Sequence, residues 1–281
     1  MLKYIRFLLS DHYLAALSEH MDEICQKVDG RGAVLEIGGL IMPREGSFKK
    51  KETLFITDES QMLNRLLAEG YYVIALYHDS NRDQDFAGTR YAVADVFLLE
   101  YRSYEQAFQR LAGLPWEILE TDRLKVRESV LEDIEEFYRI YQEPSITYYM
   151  EGLFKQREEE YAYMKAYIQQ IYGFYGFGLW TVIQKATGRI IGRAGLSVRE
   201  GYGLPELGFV IEASQQRKGF GYEVCSAILR YAKEELQFDQ VQALVKSANT
   251  ASLRLLERLG FLYDRDVVES EHPYQLFLKN I

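Results

Sequence analysis

Two cysteines, five prolines and four histidines are all that the 281 residues contain. With only Cys25 and Cys225, a disulfide framework is excluded as the basis of the fold. His12, His20, His78 and His272 are scattered without ligand spacing, so no metal is implied. No apolar run reaches the roughly 20 residues that a membrane-spanning helix requires. The opening MLKYIRFLLS is too short, and too poor in a cleavage signal, to be a secretory leader, and a cytoplasmic location is expected.

Positive charge is also in deficit. The net charge is −9, and residues 1–116 and 117–281 share it almost equally, at −4 and −5. Two acidic halves without a basic block exclude nucleic acid and anionic membrane as expected partners. Lys49, Lys50 and Lys51 form the longest basic run, which reads as a solvated loop. Several phosphate motifs are missing too. No G-x-x-x-x-G-K-[ST] occurs, and two partial dinucleotide fingerprints fail at the third glycine. Val224 stands there after Gly219 and Gly221, and Leu35 after Gly30 and Gly32.

What is present is a change of period at residues 207–222. LGFVI at 207–211 is a short apolar run of strand length. From Tyr222 onward, Val224, Ala227, Ile228, Tyr231, Ala232 and Leu236 fall on one face of a helix. SQQRKGFGYE between them is therefore a strand-to-helix turn, whose first helical N–H groups point outward with the positive end of the helix dipole. Gly219 and Gly221 permit close backbone approach, and Arg217 and Lys218 add charge. The turn is an anion site or an ordinary glycine turn.

Gln216-x-x-Gly219-x-Gly221 resembles the Q/R-x-x-G-x-G/A pyrophosphate loop of the GNAT N-acetyltransferases. NTASLRLLERLGF from Asn249 is similar to the N-x-x-S…GF segment of the branch that acetylates ribosomal-protein N-termini, and LETDRLKVRES from Leu119 is similar to that branch's opening strand. The resemblance covers residues 116–281. It implies an α/β fold in which a mixed sheet with splayed central strands is flanked by helices, and an acetyl-CoA-dependent transferase without a metal. It further implies main-chain contacts to acetyl-CoA from Phe209, Val210 and Ile211, and pyrophosphate contacts from Gln216, Arg217, Lys218, Gly219, Phe220, Gly221 and Tyr222. Asn249 is either a further contact to the cofactor or a helix N-cap.

For a base, Glu206 opens the strand that should splay, and its bland alternative is a solvent-facing carboxylate at a strand end. The acceptor wall is expected from residues 144–156, with Tyr148, Tyr149 and Glu151 suited to a cationic or peptide-like amine, and from the loop at 264–273. One departure stands out: Leu256 occupies the place of the tyrosine that many members use as general acid. A thiol with a pKa of about 8.5 departs as thiolate without that proton. The expected acceptor is a small-molecule amine or a protein N-terminus. The rival reading is a degenerate module that binds acyl-CoA or a protein without turnover. Oligomeric state is not encoded in any motif.

Residues 1–113 are expected to form a separate small α/β, Rossmann-like accessory domain ending at Gly113-Leu114-Pro115. Strand-like runs at 33–37, 53–57, 72–77 and 90–93 alternate there with helical ones at 12–28, 59–69 and 104–111. LFITDESQMLNRLLAEGYYVIAL faintly resembles haloacid-dehalogenase-like folds, but the D-x-D nucleophile such an enzyme needs after a strand is absent; Asp83 and Asp85 lie in a polar loop past one.

Overall fold

A computed structural model of the chain describes residues 1–28, 33–44, 48–269 and 271–281. Gly30 and Gly32 of the failed fingerprint lie outside the described residues. The chain divides into two compact units, Met1–Trp116 and Glu117–Ile281.

The first unit is an all-parallel sheet in the order β2-β1-β3-β4-β5, from β1 (Tyr4–Leu9), β2 (Val34–Gly39), β3 (Thr53–Thr57), β4 (Tyr72–Leu76) and β5 (Ala92–Val93). Its helices are α1 (Asp11–Ser18), α2 (Met21–Gln26), α3 (Ser60–Ala68) and α4 (Tyr101–Leu111). Strand period two divides the core. Leu54 and Ile56 join Phe7, Leu17, Ile24, Tyr104 and Phe108 on one face, while Phe55 joins Leu63, Leu66 and Val73 on the other. Each such fully buried apolar side chain contributes about 1.5–3 kcal/mol of transfer free energy.

Two elements differ from the sequence reading. The opening apolar run is β1, paired on both sides by β2 and β3. The helix expected at 12–28 is broken between α1 and α2, where Glu19 caps the first and His20 precedes the second.

The second unit is one eight-stranded sheet in the order β12-β13-β11-β10-β9-β8-β7-β6. Its strands are β6 (Glu117–Glu120), β7 (Leu124–Arg127), β8 (Leu179–Gln184), β9 (Ile190–Ser197), β10 (Glu206–Ile211), β11 (Gln240–Lys246), β12 (Leu262–Glu269) and β13 (His272–Asn280). Its helices are α5 (Ile134–Tyr141), α6 (Pro144–Thr147), α7 (Arg157–Tyr167), α8 (Gly173–Tyr175), α9 (Phe220–Glu234) and α10 (Thr250–Arg258). Every neighbouring pair is antiparallel except β10 and β11. Val210 packs with Ile134, Phe137, Ile140, Ile146 and Met164 beneath α5–α7. Ile211, one residue on, points to the opposite face, where its Cγ1 would lie 3.9 Å from a Cβ at Gly221 in α9.

The segment 264–273, expected as a loop, is a hairpin instead: Asp264 through Glu269 belong to β12, and Pro273 to β13. Ser270 at its tip lies outside the described residues. Charges on both faces of an edge strand remove the alternation that marks a half-buried one.

Candidate active site

β10 and β11 run parallel but pair at one position, Glu206 with Gln242. On its other side β10 stays in register with β9 from Glu206 to Ile211. The strands therefore part beyond Glu206. The Gln242 N–H donates to Pro205 O at 2.9 Å, and the Glu212 N–H donates to Ile191 O at 2.7 Å. Alternation between those two anchors turns the main chain of Phe209 and the N–H of Ile211 toward the widening gap. By the same alternation the Val210 main chain faces Arg193 of β9, and its side chain is core, so the contact expected of Val210 is not turned toward the gap.

At the far end of β10 the chain enters the turn to α9. Gly219 is the N-cap in the left-handed region, at φ 86°, and Arg217 is also left-handed at φ 60°. A non-glycine residue held there is a local strain that the surroundings must impose. Three contacts impose it. The Gln216 side-chain amide donates to Ile211 O at 2.9 Å, tying the turn back to β10. The Arg123 Nη1 donates to Lys218 O at 3.0 Å, and its guanidinium lies 4.4 Å from the Phe220 ring centroid. Gln216 thus acts as a brace for the turn with its side chain occupied, and Lys218 Nζ donates to Gln215 at 3.0 Å.

Glu223 in the first turn of α9 completes the brace. It accepts from Thr121 Oγ1, from the Arg123 N–H at 3.1 Å and from Arg123 Nε at 2.6 Å. Burial opposes its ionised form, but these donors outweigh burial and hold the carboxyl below its ordinary value. Its negative charge also suits the helix N-terminus. The result is a rigid cradle of main-chain N–H groups that suits a phosphate.

Glu206 is buried and bidentately paired: Arg199 Nε donates to one carboxylate oxygen and Nη2 to the other at 3.0 Å. It is not the solvent-facing carboxylate of the bland reading. Around it the fold gathers groups from four further places. Tyr274 of β13 lies in the field of Arg199, Glu151, Glu206 and Glu269, and its hydroxyl is raised, first by burial and then by those carboxylates against the opposing arginine. Tyr202 donates to Glu269 at 2.6 Å, and Lys246 Nζ lies 5.9 Å from the Tyr274 ring. Glu151 and Glu206 thus both act on the Tyr274 hydroxyl, and with Glu269 they make its surround acidic. Tyr148 is 71% exposed and stacks edge-on against Tyr149, with ring centroids 4.8 Å apart.

Asn249 caps α10, accepting from the Ser252 N–H at 3.1 Å. Its Oδ1 is thereby used, and its Nδ2 is the atom left for a ligand. Leu256 is fully buried, which rules out solvent or ligand contact at that position. Arg123, Arg199, Gln242 and Tyr274 were not singled out from the sequence. Gln242 carried a signal, as the polar residue in the middle of VQALV. The rest depend on partners far along the chain.

Residues 123–262 match the family model of the acetyltransferase (GNAT) domain. The chain is 30% identical over 162 residues to the uncharacterized N-acetyltransferase YoaA of Bacillus subtilis, covering 56% of this chain and 89% of that protein. Among solved structures, a GNAT-family acetyltransferase from Bordetella pertussis superposes with TM-score 0.51 at 23% identity, over 58% of this chain and 99% of its own. The ribosomal L7/L12 alpha-N-protein acetyltransferase RimL, in complex with coenzyme A, superposes with TM-score 0.51 at 12% identity, over 59% of this chain and 98% of its own. At those identities the two structures speak to the fold alone. The chain belongs to the GNAT family and is an acetyl-CoA-dependent acetyltransferase.

Proposed function

We propose that the protein acetylates a primary amine by direct attack in a ternary complex, and that the acceptor is a peptide or protein N-terminus or a small amine of low pKa. The observation that carries this reading is the gap between β10 and β11 opening between a buried carboxylate, Glu206, and the braced turn at Gly219. In this reading the turn from Arg217 to Tyr222 holds the pyrophosphate through its N–H groups. The main chain of Phe209 and the N–H of Ile211 pair with the pantetheine arm, and Asn249 Nδ2 adds a donor. Acetyl-CoA supplies the activated acyl group. The amine nitrogen forms a bond to the acyl carbon as the carbon–sulfur bond breaks, the sulfur leaves with the electron pair, and the second proton that the nitrogen sheds passes to that thiolate or to solvent.

Glu206 takes the ammonium proton, directly or through a water. An acceptor cation that enters the field of Glu206, Glu151 and Glu269 competes with Arg199 for the carboxylate, which frees it for that task. Tyr148 and Tyr149 line the approach. A paired base favours amines that are already partly neutral. At pH 7 about a tenth of a peptide α-amine is neutral, against well under a thousandth of a lysine amine. RimL, a structural neighbour, is a ribosomal L7/L12 alpha-N-protein acetyltransferase, which agrees with this preference. A cytoplasmic site of action follows from such acceptors.

The test is thiol release from acetyl-CoA between pH 6 and 9. One peptide carries a free α-amine; the other is blocked at its N-terminus and carries a lysine. Faster turnover of the first is expected. Faster turnover of the second across the range overturns the acceptor assignment.

A further inference from the structure

Gln242 is 2% exposed, and its side-chain Nε2 has no hydrogen-bond partner in the protein. A buried amide donor left unpaired costs free energy comparable to a lost hydrogen bond, so a fold that keeps one calls for an explanation. The position supplies it. Gln242 is the residue of β11 paired with Glu206, at the last rung before the two strands separate. Directly paired residues project from the same face of a sheet, so the two side chains leave together at the vertex of the gap. Glu206, which is engaged by Arg199, makes no hydrogen bond to this amide. An apolar residue here, like its neighbours Val241 and Ala243, would fill the site without an orphaned donor.

We propose that the Gln242 amide is a ligand-binding donor, held dry and unpaired until a carbonyl oxygen of the acyl-pantetheine arm accepts from it. The assignment rests on the reading that the arm occupies the gap. Two carbonyls have this chemistry: that of the thioester, where the donor stabilises negative charge developing on oxygen during attack, and that of a pantetheine amide, where it contributes to binding alone. Gln242 and Glu206 then divide the work at the vertex, one donating to the acyl donor and the other accepting from the amine.

The experiment uses the full chain and Gln242→Met, which keeps the length of the side chain and removes the donor. Thermal unfolding without ligand, calorimetric affinity for coenzyme A and for acetyl-CoA, and kcat/KM by thiol release are compared with the parent protein. The apo melting temperature is expected to hold or rise, because an orphaned donor is removed, while the ligand response falls. A thioester contact shows as a drop on the order of 10- to 100-fold in kcat/KM with coenzyme A affinity unchanged. A pantetheine contact shows as an equal loss, about three- to tenfold, in both affinities. Unchanged affinity and turnover overturn the proposal, as does a fall in apo stability with the ligand response intact, which would mark Gln242 as structural. If the parent protein binds neither coenzyme A nor acetyl-CoA, the reading of the gap fails first, and this assignment with it.

Discussion

Arg199 closes on Glu206 with two nitrogens, one to each carboxylate oxygen, across the loop that joins β9 to β10. The acid is nearly buried and the arginine half-exposed, so the pair is unequal. Removing the arginine strands a buried charge, whereas removing the charge leaves an arginine that reaches solvent. Arg199→Ala is therefore expected to cost about 2–3 kcal/mol of stability, and Glu206→Gln less. In a double-mutant cycle by thermal denaturation the combined change should fall short of the sum. Equal single costs that add would contradict this asymmetry. In turnover, Glu206→Gln should slow kcat/KM most near pH 6, where the amine arrives protonated, and least near pH 9.

Gly219 sits at a dihedral that a side chain adopts only under strain, and a Cβ there would come 3.3 Å from the Arg123 guanidinium. Gly219→Ala is expected to cost about 1 kcal/mol of stability through backbone strain. Gly219→Asp adds a negative charge where phosphate oxygens approach, and calorimetric affinity for acetyl-CoA should fall at least tenfold beyond the alanine variant. Equal affinities in the two variants, with both folded, would remove the pyrophosphate from this turn.

Glu223 gives the brace a pH dependence. Its carboxyl titrates below its ordinary value when folded, so the unfolded chain binds its proton first as pH falls. The stabilisation is present above the unfolded pKa of about 4.3 and is lost as pH drops through the lower folded value. Glu223→Gln should flatten the stability curve over that acid interval. A parallel curve for parent and variant from pH 5 downward would show that the brace carries no linkage.

In the first unit, Asp58 ties three strand ends together. It is 1% exposed and accepts from the Ser10 N–H at 2.8 Å, from the Ser10 hydroxyl and from His78 Nε2 at 3.1 Å. Asp58→Ala orphans these donors and should cost about 2–3 kcal/mol. If the units unfold separately, calorimetry will show two transitions, and only that of residues 1–116 will move. A chain beginning at Pro115 should then fold and bind acetyl-CoA. Failure of that chain to fold would mean the two halves share one cooperative core.

What the sequence disclosed was local. The Gly219 turn was legible because a strand period, two glycines and a helix period follow one another within 20 residues. β1 was not, because its partners β2 and β3 lie some 30 and 50 residues away. The break between α1 and α2 carries neither glycine nor proline. At the site, Glu206 could be named from its place at a strand start, but its pairing with Arg199 depends on a loop closure. Arg123 and Glu223 meet across 100 residues. Leu256 was read as an absent acid; its complete burial adds that the position belongs to the packing of α10, where a tyrosine would have to be accommodated at the expense of neighbours.

The single rung between β10 and β11 also changes what kind of sheet this is. Strands β12-β13-β11 and β10-β9-β8-β7-β6 are nearly two sheets hinged at Glu206 and Gln242, so the interior of the unit contains a pair of open edges. Open edges template pairing with foreign strands and are ordinarily blunted by charge or proline. Here the parted segments keep mostly apolar sequences, LGFVI and ALV, with Lys246 as their one charge. The exposure is tolerable because a helix covers each face and the aperture is narrow at its vertex. A molecule that lies in the seam and hydrogen-bonds along Phe209 serves as a surrogate strand. On the proposed reading, acetyl-CoA lying there would cover the sheet's open edges as well as feed the reaction.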